Sequence, residues 1–199
     1  RAFAGADTLA TSYALSMAVR KISDFDIIIS GRQAIDGDTA QVGPQVAEKL
    51  GIPQVTYAEI IESIEDRKIQ IKRRLENGVE TVSATLPILI TVNGSAKACR
   101  PRNAKLLQKY KHAKTITERQ IENIDYIDIY SERPYLNLTE WGVADVDADI
   151  ALCGLSGSPT KVKRIENVSF QAKENKRLSD NDDDINELMK ELIDNHTIG

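Results

Sequence analysis

The chain has 199 residues, 41% of them hydrophobic and 28% charged, a composition typical of a folded globular protein. Its net charge of −4 comes from interspersed acidic and basic residues, so no basic block predicts binding to nucleic acid. Two cysteines and two histidines without metal-ligand spacing, and no apolar run of the ~18 residues that a membrane-spanning helix needs, predict a cytoplasmic protein without structural zinc or membrane insertion.

The chain opens with a predicted helix. Leu9, Tyr13 and Met17 recur at helical spacing, and either Asp7 or Thr8 is the expected cap of the helix. A loop of small residues before a capped helix normally follows a strand. We therefore expect the natural protein to begin earlier, with at least one further βα unit before this sequence.

A strand, a loop and a second helix follow. The apolar run at residues 26–30 is typical of a parallel strand buried on both faces. The second helix is expected to begin at Pro44 and to end at Gly51. This alternation predicts an α/β domain with a parallel, Rossmann-like sheet that binds ligands at the carboxyl ends of its strands.

Residues 54–92 change to a period of two, which predicts antiparallel strands added to the parallel part, with a turn at residues 76–78. A basic helix is expected within residues 102–110. Together these elements complete a predicted α/β domain at residues 1–114.

The remainder of the chain is predicted to be an arm. Residues 115–165 show little periodicity, which favours an extended arm packed on something else, and we place this arm at 115–178. A polar linker at 171–184 leads into a C-terminal amphipathic helix within 179–199, predicted to bind a partner. Its apolar stripe consists of Ile185, Leu188, Met189, Leu192 and Ile193.

The loop at residues 31–43 is the strongest candidate site. A helix beginning at Pro44 would leave the backbone amides of residues 39–43 available to an anion, and Gly31 and Gly37 allow unusual backbone conformations. The carboxylates of Asp36 and Asp38 would repel a phosphate unless they point elsewhere. Asp38 fits a capping arrangement with Gln41, and an aspartate can also accept hydrogen bonds from ribose hydroxyls. The spacing alone leaves open an acidic turn and a capped helix without a ligand.

Four segments resemble the β subunits of electron-transfer flavoproteins: FAGADTLAT at residues 3–11, GRQAIDGDTAQVGP at 31–44, CGLSGSPTKV at 153–162, and a spaced set between 73 and 91. That set is Arg73, Glu76, Gly78, Glu80, Val82, Pro87, Leu89, Ile90 and Thr91. The resemblance covers nearly the whole chain and implies a fold similar to adenine nucleotide α-hydrolases. The family's first segment is absent from this sequence.

The resemblance implies a nucleotide site. In the family the matching loop holds the adenosine phosphate part of AMP or, in flavin-bifurcating members, of a second FAD. The sequence DGDTAQVGP is more similar to that of the bifurcating, anaerobe-type subunits. The implied cofactor is FAD, with AMP as the alternative and NADH as an electron donor to the complex. The implied site residues are Ala6, Asp7, Thr8, Gly31, Arg32, Gln33, Ala34, Asp36, Gly37, Asp38, Thr39, Ala40, Gln41 and Val42.

The resemblance also implies partners. The β subunit forms a heterodimer with an α subunit and exchanges electrons with a flavin-dependent dehydrogenase of the acyl-CoA or lactate type. Ala98 stands where the AMP-type family has a leucine anchor, before Pro101 and Arg102, which favours a partner other than an acyl-CoA dehydrogenase.

No catalytic residues are predicted, because neither His112 nor His196 belongs to a Ser-His-Asp or Cys-His arrangement. Any redox chemistry belongs to the flavin. Two other functions stay open at this point: a purely structural AMP-binding β subunit, and an adenine-nucleotide hydrolase or sensor suggested by the fold.

Overall fold

A five-stranded mixed sheet, ordered β1-β5-β2-β3-β4, forms the centre of the protein. The computed structural model describes residues 2–124, 129–162, 177–195 and 198. The strands are β1 (Ile27–Gly31), β2 (Gln54–Glu65), β3 (Lys68–Leu75), β4 (Gly78–Thr85) and β5 (Ile88–Val92). Helices alternate with the parallel strands, and the predicted α/β class is confirmed.

The sheet is parallel on one side and antiparallel on the other. β5 runs parallel to both of its neighbours, β1 and β2, whereas β2, β3 and β4 pair antiparallel. The prediction that residues 54–92 form only antiparallel strands is therefore wrong for β5. A two-residue period reports that a segment is extended and half-buried, but it does not report which strand the segment will pair with.

The strand that is buried on both faces is β5, whereas the prediction assigned this position to β1. Ile88 and Ile90 enter one apolar cluster with residues of β2 and β3, while Leu89 faces Val46 and Ala47 on the other side of the sheet. β1 occupies the edge of the described sheet, and Ile29 is 64% exposed there. The prediction that residues 26–30 are buried on both faces is therefore wrong in this structure.

Two helices pack against each other beside the parallel strands. α1 (Thr8–Ile22) is capped by Asp7, whose Oδ1 accepts the amides of Leu9 and Ala10 at 3.0 Å each, which confirms the predicted cap. α2 (Val42–Leu50) ends at Gly51, which has a φ of 68°, as predicted for a helix stop. α2 begins two residues before Pro44, so the predicted start is wrong.

The chain after the sheet folds into short helices. They are α3 (Ala104–Lys109), α4 (Ile116–Ile121), α5 (Ile129–Glu132) and the 3-10 helices Pro134–Leu136, Ala144–Val146 and Ile150–Leu152. The predicted basic helix corresponds to α3, capped by the Asn103 side chain.

The segment that follows α5 contacts α1 of its own chain. The Asp149 amide donates to Tyr13 Oη at 2.9 Å, and Lys21 Nζ donates to the Asp145 carbonyl at 2.5 Å and lies 5.3 Å from the ring centroid of Trp141. Trp141 is thus a packing contact. The segment predicted as an arm is, over this stretch, folded onto the first helix.

By its internal contacts the chain divides into two compact units, Arg1–Lys161 and Val162–Gly199. The second contains α6 (Asp182–Asp194), whose Asn181 side chain accepts the Asp184 amide at 2.8 Å. The first residues of the predicted linker, 171–176, lie outside the described residues, and the functional division at 114 and 178 stays a prediction. In the part of the chain that is described, no helix combines the length and the apolarity needed to cross a membrane.

Candidate functional site

The candidate loop occupies the carboxyl end of β1, because Gly31 ends that strand and α2 begins at Val42. β5 is parallel to β1, so its carboxyl end, followed by Asn93, reaches the same edge of the sheet. Ligands of open α/β sheets bind at this edge. The fold therefore places the predicted loop where a ligand site is expected.

The backbone of this loop is unusual at two positions. Asp38 has a φ of 51° and Ala40 has a φ of 52°, although neither residue is glycine. Gln41, the residue before α2, returns to a right-handed φ of −95°. Left-handed conformations cost a non-glycine residue about 1–3 kcal/mol and concentrate at functional sites. Alternation of left- and right-handed residues also turns successive amides towards one side, the geometry of an anion-binding nest.

The glycines of the loop do not supply this conformation. Neither Gly31 nor Gly37 has a φ in the left-handed region, and a Cβ on either would meet no atom within 4 Å. Gly31 and Gly37 therefore do not use the conformational freedom that a glycine allows. Their remaining contribution is the absence of a side chain, which lets a ligand approach the backbone closely.

Three amides of the loop are open to a ligand. Among the described residues, no acceptor takes the amides of Thr39, Ala40 and Gln41, whereas the Asp38 amide donates to the Ala34 carbonyl at 3.0 Å. The first amides of α2 extend the same row, since a helix leaves its first turn without internal partners. These amides, together with the positive end of the α2 dipole, favour an anion.

The carboxylate of Asp38 is engaged within the loop. Its Oδ1 accepts a hydrogen bond from the Gln33 side-chain amide. The predicted cap of α2 by Asp38 and Gln41 is wrong, because neither side chain makes a capping hydrogen bond to that helix. Asp36 lies in the exposed turn before Gly37 and Asp38.

The structure brings Thr8 and Gln41 together. Thr8 Oγ1 donates to Gln41 Oε1 at 3.0 Å, and Gln45 Nε2 donates to Thr8 Oγ1 at 3.4 Å. Ser12 Oγ donates to Gln45 Oε1 at 3.1 Å, one turn further along α1. These bonds hold the first turns of α1 and α2 side by side. Thr8, which the resemblance groups with the loop, is thus in direct contact with Gln41.

Asp7 is used differently. One carboxylate oxygen caps α1, and the other accepts two hydrogen bonds from Thr160. The Thr160 hydroxyl and the amides of Ala10, Thr160 and Leu9 lower the pKa of Asp7 from 3.8 to about 2. The carboxylate is therefore ionised at neutral pH, and both of its oxygens already have donors within the chain.

A groove of about 720 Å³ lies between the loop and the β3–β4 hairpin. Its cationic groups are Arg32 from the loop and Arg74 from β3, and the guanidinium of Arg32 lies 5.9 Å from the ring centroid of Tyr57. Tyr57 has a φ of 59° at an irregularity in β2, and its amide donates to Thr91 Oγ1 at 3.2 Å. The groove combines cationic groups with an aromatic ring beside the open amides. Its other lining residues include Gln33, Asp38, Leu75, Glu76, Asn77 and Asn93.

Sequence reasoning missed the groove residues that come from outside the loop. Tyr57, Arg74, Asn77 and Asn93 are among them. Asn93 follows a parallel strand, so recognising β5 as parallel would have identified it as a residue at the binding edge. No sequence signal identifies Tyr57 or the hairpin residues, because only the strand pairing brings them to the loop.

The chain matches the family model described as "Electron transfer flavoprotein domain" over residues 1–121. It is 39% identical over 164 residues to the electron transfer flavoprotein subunit beta of Clostridium acetobutylicum, covering 82% of this chain and 54% of that protein. It is 42% identical over 171 residues to the protein of the same name from Megasphaera elsdenii, covering 83% of this chain and 54% of the relative.

A third relative is the caffeyl-CoA reductase-Etf complex subunit CarD of Acetobacterium woodii, which is 38% identical over 164 residues, covering 82% of this chain and 53% of the relative. The chain thus spans about half the length of the curated relatives it matches.

Proposed function

This chain belongs to the electron transfer flavoprotein β-subunit family, and we propose that it binds an adenine nucleotide on residues 31–42 as part of a complex with an α subunit. In that complex the β subunit carries FAD and passes electrons between NADH or ferredoxin and a flavin-dependent dehydrogenase of the acyl-CoA or lactate type. Its location is the cytoplasm. The redox chemistry is supplied by the flavin, and this chain contributes binding and orientation.

The observation that carries the proposal is the set of open amides at Thr39, Ala40 and Gln41, at the carboxyl edge of the sheet and before the first turn of α2. Such amides suit phosphate oxygens. The remaining predicted contacts are the Thr39 hydroxyl and the backbone of Asp36 and Gly37, and the other predicted site residues include Ala6, Gly31, Ala34 and Val42.

The neighbouring groove favours a dinucleotide over AMP. The guanidinium of Arg32 suits a pyrophosphate, whereas that of Arg74 is paired with Glu59 at 2.6 Å, and the ring of Tyr57 suits a planar ring system. FAD is accordingly the proposed cofactor of the β subunit. A structural AMP-binding subunit, in which only the α subunit carries flavin, is the alternative.

The deciding experiment extracts nucleotides from the intact complex of the full-length protein with its α subunit. Two FAD per heterodimer are expected. One FAD and one AMP would establish the alternative, and a single FAD without AMP would overturn nucleotide binding by the β subunit.

Substitution of Gly37 by Val tests whether the nucleotide binds to the loop at residues 31–42. Gly37 has open space around a Cβ, so the fold tolerates the side chain, but the side chain projects from the loop that a ligand must approach. Gly37→Val is expected to abolish nucleotide retention by the β subunit. The matched control is Gly142→Val, at a glycine whose Cβ would lie an ordinary 3.6 Å from Asp145 Oδ2. Full retention by the Gly37 variant would exclude this loop as the site.

A further inference from the structure

The turn at residues 153–158 is pressed against the loop that precedes α1. The Leu155 amide donates to the Ala4 carbonyl at 3.0 Å. A Cβ on Gly154 would lie 2.3 Å from the Ala2 carbonyl oxygen, and Gly154 has a φ of 54°, so only glycine suits this position. The two segments are therefore in backbone contact although about 150 residues separate them in sequence.

Ser158 extends this contact to the cap of α1. Its side chain is buried, with 4% of the residue exposed, and its hydroxyl donates to the Gly154 carbonyl at 2.7 Å while accepting the Asp7 amide at 2.8 Å. A buried hydroxyl with both a donor and an acceptor is satisfied within the fold. Ser158 thus fixes the backbone of Asp7.

Thr160 fixes the side chain of the same aspartate. The Thr160 hydroxyl donates to Asp7 Oδ2 at 2.6 Å, and the Thr160 amide donates to the same oxygen at 3.1 Å. The other oxygen, Oδ1, accepts the two amides of the α1 cap. Hydrogen bonds to an ionised acceptor are roughly twice as strong as neutral ones. One carboxylate therefore joins the 153–160 segment to the first turn of α1.

The residue after Asp7 continues the connection to the candidate loop. Thr8 donates to Gln41, whose own amide is one of the three open to a ligand. Ala40 has a left-handed φ of 52°, Gln41 beside it is exposed, and Thr8 supplies the side-chain contact of Gln41 to α1. The position of Thr8 thus affects the orientation of the amides that a phosphate would contact.

We propose that Asp7 and Thr160 are positioning residues of the nucleotide site: their hydrogen bonds place Thr8 against Gln41 and so preorganise the amides of residues 39–41. This inference rests on the proposed function. It assigns Asp7 a different role from the one that the family resemblance implies, because the aspartate holds a neighbouring residue in place and does not contact the nucleotide.

The first test measures the affinities of the assembled complex for AMP and FAD in three variants. Thr160→Val removes the hydroxyl at constant size and is expected to weaken binding roughly fivefold to tenfold, the scale of the net contribution of one ordinary hydrogen bond. Thr160→Ser keeps the hydroxyl and should restore wild-type affinity. Thr81→Val, on the exposed strand β4, is the matched control and should bind as the wild type does.

A double-mutant cycle separates positioning from general stability. If Thr160 acts through Thr8, Thr160→Val should change affinity by less than about twofold in a Thr8→Val background, because the contact it supports is already lost. Asp7→Asn keeps one acceptor for the cap but loses the carboxylate that serves both segments, and it provides a second variant should Thr160→Val fail to fold. It is expected to weaken binding as Thr160→Val does.

The outcomes of the two tests are distinct. A wild-type complex that retains no nucleotide on the β subunit overturns the proposed function itself. Wild-type retention with unchanged affinity in both Thr160→Val and Asp7→Asn overturns only the positioning role. Losses that multiply in the double variant, or a Thr160→Ser variant as weak as Thr160→Val, also overturn it.

Discussion

A Cβ on Gly43 would lie 2.7 Å from Cγ2 of Thr91, a shorter distance than Cβ atoms in proteins keep from other heavy atoms. Gly43 is buried in the first turn of α2, and Thr91 is 2% exposed on β5. The helix that carries the candidate anion site is thus seated directly on the central parallel strand. A glycine without a φ in the left-handed region is required here for space and not for conformation.

Gly43→Ala is expected to lower the free energy of unfolding by about 1–3 kcal/mol, since overpacking outweighs the helix propensity that alanine gains. Chemical denaturation measures this change. The double variant Gly43→Ala with Thr91→Ser should recover part of the loss, because serine lacks Cγ2 but keeps the hydroxyl that accepts the Tyr57 amide. Equal stability of Gly43→Ala and the wild type would show that α2 shifts freely on the strand.

The Asp7 carboxylate predicts a pH dependence of stability. Its pKa is lowered to about 2 from 3.8, chiefly by the Thr160 hydroxyl. A lowered folded-state pKa stabilises the protein above the unfolded-state pKa, and this stabilisation disappears as the pH falls through the folded-state value. The difference in urea midpoint between wild type and Asp7→Asn should therefore be largest above about pH 5 and shrink towards pH 2. A difference that stays constant with pH contradicts the assigned contacts.

Replacing Ala40 by glycine is expected to stabilise the protein. Ala40→Gly removes the strain of a φ of 52° and is expected to raise the free energy of unfolding by up to about 1 kcal/mol. The matched control is Ala34→Gly in the same loop, at a residue without a positive φ, which should lower it by about 0.4–1 kcal/mol. Nucleotide affinity should fall in Ala40→Gly, because the glycine backbone samples more conformations. If both variants change stability equally, the loop is not held in the described conformation.

We expect Arg100 and Arg102 to belong to the surface that associates with the dehydrogenase. Both are exposed in the segment that leads into α3. Exposed arginines steer association and pair with carboxylates across interfaces, so charge reversal at both positions should slow electron transfer to the dehydrogenase far more than it changes flavin content. Stopped-flow transfer rates at two ionic strengths and absorption spectra of bound flavin measure the two quantities. Similar losses in both would assign the segment a structural role.

We expect the apolar stripe of α6 to bind the α subunit. Ile185, Met189 and Ile193 are 48%, 44% and 53% exposed along its apolar stripe, and fully burying a large apolar side chain contributes about 1.5–3 kcal/mol. Deleting residues 184–199 should weaken assembly with the α subunit and leave the melting temperature of the isolated chain unchanged. Met189→Asp should weaken assembly, while Lys190→Asp on the polar side should not. A large drop in the melting temperature of the truncated chain would instead place the helix in this chain's own core.

The elements that depend on local chemistry were predictable from the amino-acid sequence alone. The cap of α1 by Asp7, the stop of α2 at Gly51 and the α/β class follow from neighbouring side chains and from hydrophobic period, and the structure confirms them. The motif of residues 31–44 likewise identified the family that the comparisons show.

Strand pairing and the contacts between distant side chains could not be predicted from the sequence and are known from the fold. β5 is parallel and central because of the register it adopts with β1 and β2, and a two-residue period is the same for parallel and antiparallel neighbours. The left-handed turns at Asp38 and Ala40 arise without glycine, so composition could not reveal them. The contact between Asp7 and Thr160 joins residues 153 positions apart, and no local propensity encodes a hydrogen bond of that separation.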